Sequence, residues 1–324
     1  MLRAVQSLAV PRRVRNPQDV RNRPGVRSRG NRAIPSLRRR ANGSNALKQL
    51  IINADDFGLT AGISRGVCYA IQSGRVSSTS ALVCDPAALA LLECYAHTLA
   101  GRVGLHLQLT DGFPCAGSVR VPSLVTGTGG FPRFPEELGR LNQDEIRIEW
   151  RAQLELFLKS GLIPSHIDTH HHVHSIPEVF EIYCEIAQRC RAPARTLSAA
   201  MTELMRSHGI PCADYCEIKW LGAEATLENL LELTSEAFQR CGGHSVIELM
   251  CHPGYADRSL STRSLYVSGR ERELGILCSD RLARRFRQLE IKIAGRSARK
   301  SRDDIAGCQR GANCQRRRAP ATHR

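Results

Sequence analysis

From residue 49 onward, short apolar runs alternate with longer amphipathic ones. Residues 50–53 read as a strand. Thr60 is placed to cap a helix that runs to Gln72, with Gly74 as its stop. Residues 80–84, 103–109, 163–169 and 246–251 carry further strand patterns. Residues 86–97, 144–159, 177–189, 200–207, 227–240 and 269–286 carry helical ones. Between residues 110 and 135 the chain is punctuated by Gly112, Pro114, Pro122, Gly127, Gly129 and Gly130, which predicts a long loop. A loop of that length in a compact domain usually serves function.

Strands alternating with helices predict a mostly parallel sheet covered by helices. The polar residues singled out below fall at the C-terminal ends of their strands, where a (β/α) barrel carries its active site. The expected fold is therefore α/β, a distorted or incomplete (β/α) barrel in a single domain over residues 48–290. No GxGxxG or Walker A loop follows the first strand, which argues against nucleotide binding. No apolar run reaches the ~18–20 residues of a membrane span.

The net charge of +15 suggests nucleic acid until it is located. Residues 1–47 hold twelve Arg and one Asp, and residues 291–324 hold ten Lys/Arg and two Asp, so the span between them is about −4. The basicity belongs to the two ends, both of which are expected to be disordered basic extensions. The first is Arg-rich and acid-poor like a transit peptide, but it shows no clear amphipathic stripe and no apolar core of a secretory signal. An acidic body makes a nucleic-acid partner the weaker expectation. The thirteen cysteines are scattered, with no paired CxxC framework, and the expected state is reduced thiol in the cytoplasm.

The chemistry concentrates in four segments. Asn53-Ala54-Asp55-Asp56-Phe57-Gly58 ends the first strand, and Gly104-Leu105-His106-Leu107 lies in a second. The third is His166-Ile167-Asp168-Thr169-His170-His171-His172-Val173-His174, and Cys251-His252-Pro253-Gly254 closes the last. A single Asp before a helix is ordinarily a cap. Two adjacent ones diverge in direction, so one can hold a cation while the other faces an attacking water. If the third segment stays extended, His166, Asp168, His170, His172 and His174 share one face, an arrangement expensive to bury without a ligand. Asp168 is placed to fix the tautomer of a ligating imidazole. His252, before a Pro-Gly turn, is exposed at the strand mouth as a general acid requires.

Together these four segments resemble the signature segments of the YdjC-like carbohydrate deacetylases, over residues 49–280 and in the same order. The resemblance implies a distorted barrel, a divalent metal ion (Mg²⁺ first, Zn²⁺ as the alternative) and hydrolysis of an N-acetyl group on a sugar. Carried over by position, Asp56, His106 and His170 would hold the metal, Asp55 would be the base and His252 the acid. His172, His174 and the 110–135 loop are expected to contact the sugar. The family ends on a further strand, for which residues 289–293 are a weak substitute. The expected partner is a small N-acetylated sugar, with a homodimer compatible. Two competing readings are a metal hydrolase of another ester or amide, and a basic nucleic-acid-binding protein.

Overall fold

The structure of the protein is a computed structural model that describes residues 48–296. The expected extension at 1–47 and most of the one after 290 lie outside the described residues. In chain order the elements are β1 (Lys48–Phe57), α1 (Ala61–Gln72), β2 (Ser78–Ala81), α2 (Pro86–Cys94), α3 (Ala96–Leu99), β3 (Val103–Leu107) and α4 (Gln143–Lys159). There follow β4 (Ile167–Thr169), α5 (Pro177–Cys190), α6 (Ala199–Ser207), β5 (Tyr215–Glu217), α7 (Leu227–Cys241) and β6 (Val246–Cys251). The last are α8 (Leu260–Arg263), α9 (Ser268–Leu277), α10 (Asp280–Gln288) and β7 (Ile291–Ile293).

Every ladder is parallel, in the order β4-β3-β2-β1-β6-β5. β7 pairs with the start of β1, from Lys48↔Ile291 to Leu50↔Ile293. It finds room there because β2 takes up β1 only from Asn53 onward, while β6 covers residues 49–54 on the other edge. Residues 289–293, expected to substitute poorly for the family's final strand, thus do supply one. It lies past the boundary drawn at 290 from the sequence. Beyond it, the buried Arg296 forms an ion pair with Glu248 of β6.

The sheet curls almost into a barrel. Between β4 and β5, Ala194 makes a single parallel bridge to Ile167, and its N–H donates to Pro211 O ahead of β5. One side chain measures the closure. Arg195 reaches Asp55 on β1 at 2.6 Å, Asp168 on β4 at 2.9 Å and Glu248 on β6 at 2.8 Å. Strands far apart in the sheet order can meet one guanidinium only if the sheet is curved around it. This is the expected incomplete (β/α) barrel.

Strand alternation sorts the two faces. Leu50, Ile52, Leu105, Ile167 and Ile247 turn toward the helices and pack with Ile63, Val67, Trp150, Phe157 and Phe238, all buried. Asn53, Asp55, Ser80, His106, His166, Asp168 and Glu248 are equally buried but polar, and they turn inward. They satisfy one another: Asn53 Nδ2 donates to Ser80 Oγ and to Asp55 Oδ1, each at 2.7 Å. Gly104 is forced, since a Cβ there would lie 2.5 Å from the His166 ring.

Several elements differ in extent from expectation. The helix expected over 86–97 breaks at Tyr95, and that over 269–286 breaks at Ser279, whose Oγ accepts from Leu282 N to start α10. The strand expected over 163–169 is ordered as β4 only from Ile167. Thr60 caps α1 as expected, accepting from Ile63 N.

Candidate active site

In a regular strand Asp55 and Asp56 would face opposite sides of the sheet. The β1–β2 register shifts between Ala54 and Phe57, and Asp56 adopts φ 70°, in the left-handed region. The bulge turns both carboxylates into the C-terminal mouth of the barrel, a re-aiming that bulges beside active sites commonly perform. Gly58, at φ 90°, completes the turn; a Cβ there would lie 2.8 Å from Leu82 O.

The two carboxylates then part company. Asp55 is gripped at both oxygens by Arg195, whose Nη1 donates to Oδ2 at 2.6 Å and Nη2 to Oδ1 at 2.7 Å. Burial pushes its pKa up, but the Arg195 charge and hydrogen bonds outweigh that, and the carboxyl is held below its usual range. Asp56 takes Arg270 Nη2 on Oδ2 at 2.7 Å. Burial again opposes ionisation, but the Arg270 charge prevails, with His170 beside the carboxylate, and holds the group well below its usual range. Asp56 Oδ1 is buried with no hydrogen-bond partner.

Two imidazoles converge on that oxygen. His106 Nε2 lies 3.6 Å from Asp56 Oδ1 and His170 Nδ1 lies 3.2 Å from it. Asp168 stands behind His106, Oδ1 to Nδ1 at 2.7 Å. Arg195 and Ser80 hold Asp168 as a carboxylate, which only accepts, so His106 carries a proton on Nδ1 and turns Nε2 toward Asp56. Burial pushes the imidazole's pKa down, but the charge and hydrogen bond of Asp168 raise it above the usual histidine range. One atom each from Asp56, His106 and His170 falls within 4.8 Å of the others, a donor set that could hold a metal ion. Asp55, His106 and Asp168 form a second such group, but its carboxylates are already paired with Arg195.

The histidine-rich segment does not stay extended. β4 ends at Thr169, and residues 170–175 form a 3₁₀ turn with His171 and His172 at φ 51° and 54°. His166, Asp168 and His170 share the inward face as expected; the left-handed turn at His171 and His172 breaks the alternation beyond them. His174 is fully buried, stacked on Tyr183 at 4.5 Å and hydrogen-bonded to Thr169 Oγ1 at 2.6 Å. His174 is thereby committed to packing, whereas His172 stays near the centre, its Nδ1 buried without a partner and its imidazole pushed down to about 4 by burial and the Arg195 charge against the pull of Asp55. His171 lines the cleft, stacked on His170 at 3.8 Å.

His252 enters from the end of β6. Its ring lies edge-on to Tyr266, and Nδ1 is buried without a partner. Its N–H donates to Glu273, which also accepts from Tyr266. Burial, helped by Arg270, pushes the imidazole down to about 4 against the pull of Asp56. All five residues expected at the site, Asp55, Asp56, His106, His170 and His252, line one cleft of about 260 Å³. Phe134, Arg133 and Asp111 of the 110–135 loop form one wall, and Leu265 and Tyr266 another.

Arg195 and Arg270 were not singled out from sequence. Arg195 follows Arg189 and Arg191 and precedes Thr196 and Ser198, so nothing local marks it as a buried charge. Arg270 lies in a charge-rich helix start and looks like a solvated residue. A parallel, incomplete barrel with a carboxylate and two imidazoles converging in its C-terminal mouth defines the class of this protein. The chain belongs to the YdjC-like protein family, whose sequence profile matches residues 49–288. A carbohydrate deacetylase of Geobacillus stearothermophilus is 37% identical over 243 residues, covering 75% of this chain and 94% of that one. One from Vibrio vulnificus (strain CMCP6) is 36% identical over 249 residues, covering 76% and 94%. The crystal structure of a protein described as a cellobiose-phosphate cleavage protein, from Enterococcus faecalis V583, superposes with TM-score 0.70 at 33% identity. It covers 77% of this chain and 97% of its own.

Proposed function

We propose that this protein is a divalent-cation-dependent hydrolase that removes N-acetyl groups from an amino sugar or oligosaccharide. The observation that carries the reading is the bare Oδ1 of Asp56, buried beside two imidazole nitrogens. A buried carboxylate oxygen ordinarily finds a donor. One left open among ligand-type nitrogens suits a cation, and relatives at 37% and 36% identity are carbohydrate deacetylases. Asp56, His106 and His170 would hold the ion. When bound, it would polarise the acetyl carbonyl and lower the pKa of water. The family resemblance puts Mg²⁺ first, whereas one carboxylate with two imidazoles is a donor set better suited to Zn²⁺, since Mg²⁺ prefers oxygen donors, and the test therefore includes both ions.

Asp55 takes the proton of the attacking water. A carboxylate offers about four acceptor sites. Arg195 and Asn53 occupy three of them, which leaves one for a water in the cleft that Asp55 lines. Its lowered pKa keeps it ionised, at the expense of base strength, and Arg195 fixes its direction. His252 delivers a proton to the departing amine. Its ring is neutral in the free site, so it takes that proton from solvent water in the cleft as negative charge develops on the acyl oxygen, and Asp55 later returns to solvent the proton it took from the attacking water, which closes the balance. Acetamide is uncharged, so recognition falls to the sugar, for which Asp111, Arg133 and Phe134 supply polar groups and a ring face. The products are acetate and a free amino sugar.

The test is acetate release from a panel of N-acetylated sugars and of other acetyl esters and amides, after EDTA treatment and after adding back Mg²⁺ or Zn²⁺. Cation-restored release from N-acetylated sugars supports the reading. Release confined to the other substrates, or unaffected by EDTA, refutes it.

A further inference from the structure

The mechanism above gives Arg270 no task, yet this arginine is 2% exposed and lines the cleft. Its Nε donates to Tyr266 O at 2.8 Å, and its Nη2 to Asp56 Oδ2 at 2.7 Å and Ser264 Oγ at 3.3 Å. The backbone of α9 and the segment before it therefore hold the guanidinium in one plane, and that plane grips only one of the two Asp56 oxygens. The other is the bare Oδ1 facing His106 and His170.

Two considerations separate this from an ordinary ion pair. The terminal torsion of an aspartate is broad and roughly two-fold, so the bulge at Asp56 directs the side chain but does not choose which oxygen points where. A hydrogen bond to Oδ2 does choose. Moreover, a guanidinium beside a cation repels it. Attraction for the ion therefore gives no reason for an arginine here, whereas orientation of its ligand does.

We propose that Arg270 is a positioning residue for the cation centre: by capping Asp56 Oδ2 it presents Oδ1 alone to the ion held with His106 and His170. The inference rests on the cation-dependent reading above. Loss of such an outer partner typically costs 10–100-fold in metal affinity.

The test is calorimetric titration of the EDTA-stripped full chain with Mg²⁺ and with Zn²⁺, for wild type, Arg270→Lys and Arg270→Gln, each shown folded by circular dichroism. Lysine keeps the charge but cannot hold Tyr266 O and Asp56 Oδ2 together, so affinity should fall about 10–100-fold. Glutamine removes the repulsion and should still weaken binding. A merely structural arginine would lower the melting temperature in EDTA and leave affinity alone. Wild-type affinity in either folded variant, or tighter binding by Arg270→Gln, overturns the proposal. Because a buried arginine is a risk to folding, the crystal structure of the wild-type cation complex is an independent check. Asp56 should ligate through Oδ1 with Arg270 still on Oδ2; bidentate ligation, or an Arg270 that has swung away, overturns the inference. A wild type that binds neither ion refutes the cation reading itself, and this inference with it.

Discussion

Arg195 and Asp55 form a two-pronged pair in the middle of the barrel, with Nη1 2.6 Å from Oδ2 and Nη2 2.7 Å from Oδ1. The same guanidinium also holds Asp168, the residue that orients His106. One side chain thus sets the direction of the proposed base and, through Asp168, that of a proposed ligand. Such a pair is strongly directional. The proposed base and the proposed ligand are therefore fixed relative to each other.

The adjacent carboxylates should separate in function. Asp56→Asn is expected to lose cation affinity by at least tenfold, measured by calorimetry, because a ligand oxygen is replaced. Asp55→Asn should keep that affinity within a few-fold and lose about 10²–10⁴ in turnover, the usual worth of a general base. Equal loss of cation affinity in both variants would remove the division of labour while leaving the site.

His252 should matter in proportion to the basicity of the leaving group. His252→Ala is expected to retain the cation and to lose about 10²–10⁴ in kcat on an N-acetyl sugar. On nitrophenyl acetate, whose leaving group needs no proton, the loss should be much smaller. Matched losses on the two substrates would assign this residue a structural role.

His174 is expected to act on stability alone. It is fully buried between Tyr183 and Thr169, away from the cleft. His174→Ala should lower the unfolding free energy by about 2–4 kcal/mol through the cavity and the orphaned Thr169 hydroxyl. Cation affinity of the folded variant should stay within a few-fold of wild type. A large loss of affinity without loss of stability would place His174 back among the ligands.

Glu273 should make stability depend on pH. Burial pushes its carboxyl from 4.5 up to about 7, against the hydrogen bonds from Tyr266 and His252 N–H and the charge of Arg270. Between those two values the folded protein keeps a proton that the unfolded chain has lost. Stability therefore falls as pH rises through that window, by about 3 kcal/mol at roughly 1.4 kcal/mol per unit. Urea midpoints for wild type and Glu273→Gln from pH 4.5 to 7.5 should show the slope in the former and a flatter course in the latter. Identical slopes would rule Glu273 out as the source.

The order of strands and helices, their parallel pairing and the placement of Asp55, Asp56, His106, His170 and His252 at one end were legible in the sequence. Apolar periodicity records which face of each element meets the helices, and a polar residue where an apolar strand stops is visible without coordinates. The short strand Tyr215–Glu217 was not, and Ile291–Ile293 was legible only as a weak strand, because three residues carry little periodicity and take their extended form from neighbours already in place.

The histidine run shows the same division more sharply. Alternation correctly put His166, Asp168 and His170 on one face, but it could not tell that the strand stops at Thr169 and that His171 and His172 turn left-handed. That turn removes His174 from the cleft and brings His171 into it. The charges that hold the centre were beyond the sequence altogether. Arg195 lies 140 positions from Asp55, and Arg270 lies 214 from Asp56. Local pattern specifies which residues an element turns inward. Which distant side chain meets them, and which carboxylate oxygen stays bare, depends on how the sheet closes, and only the tertiary structure decides that.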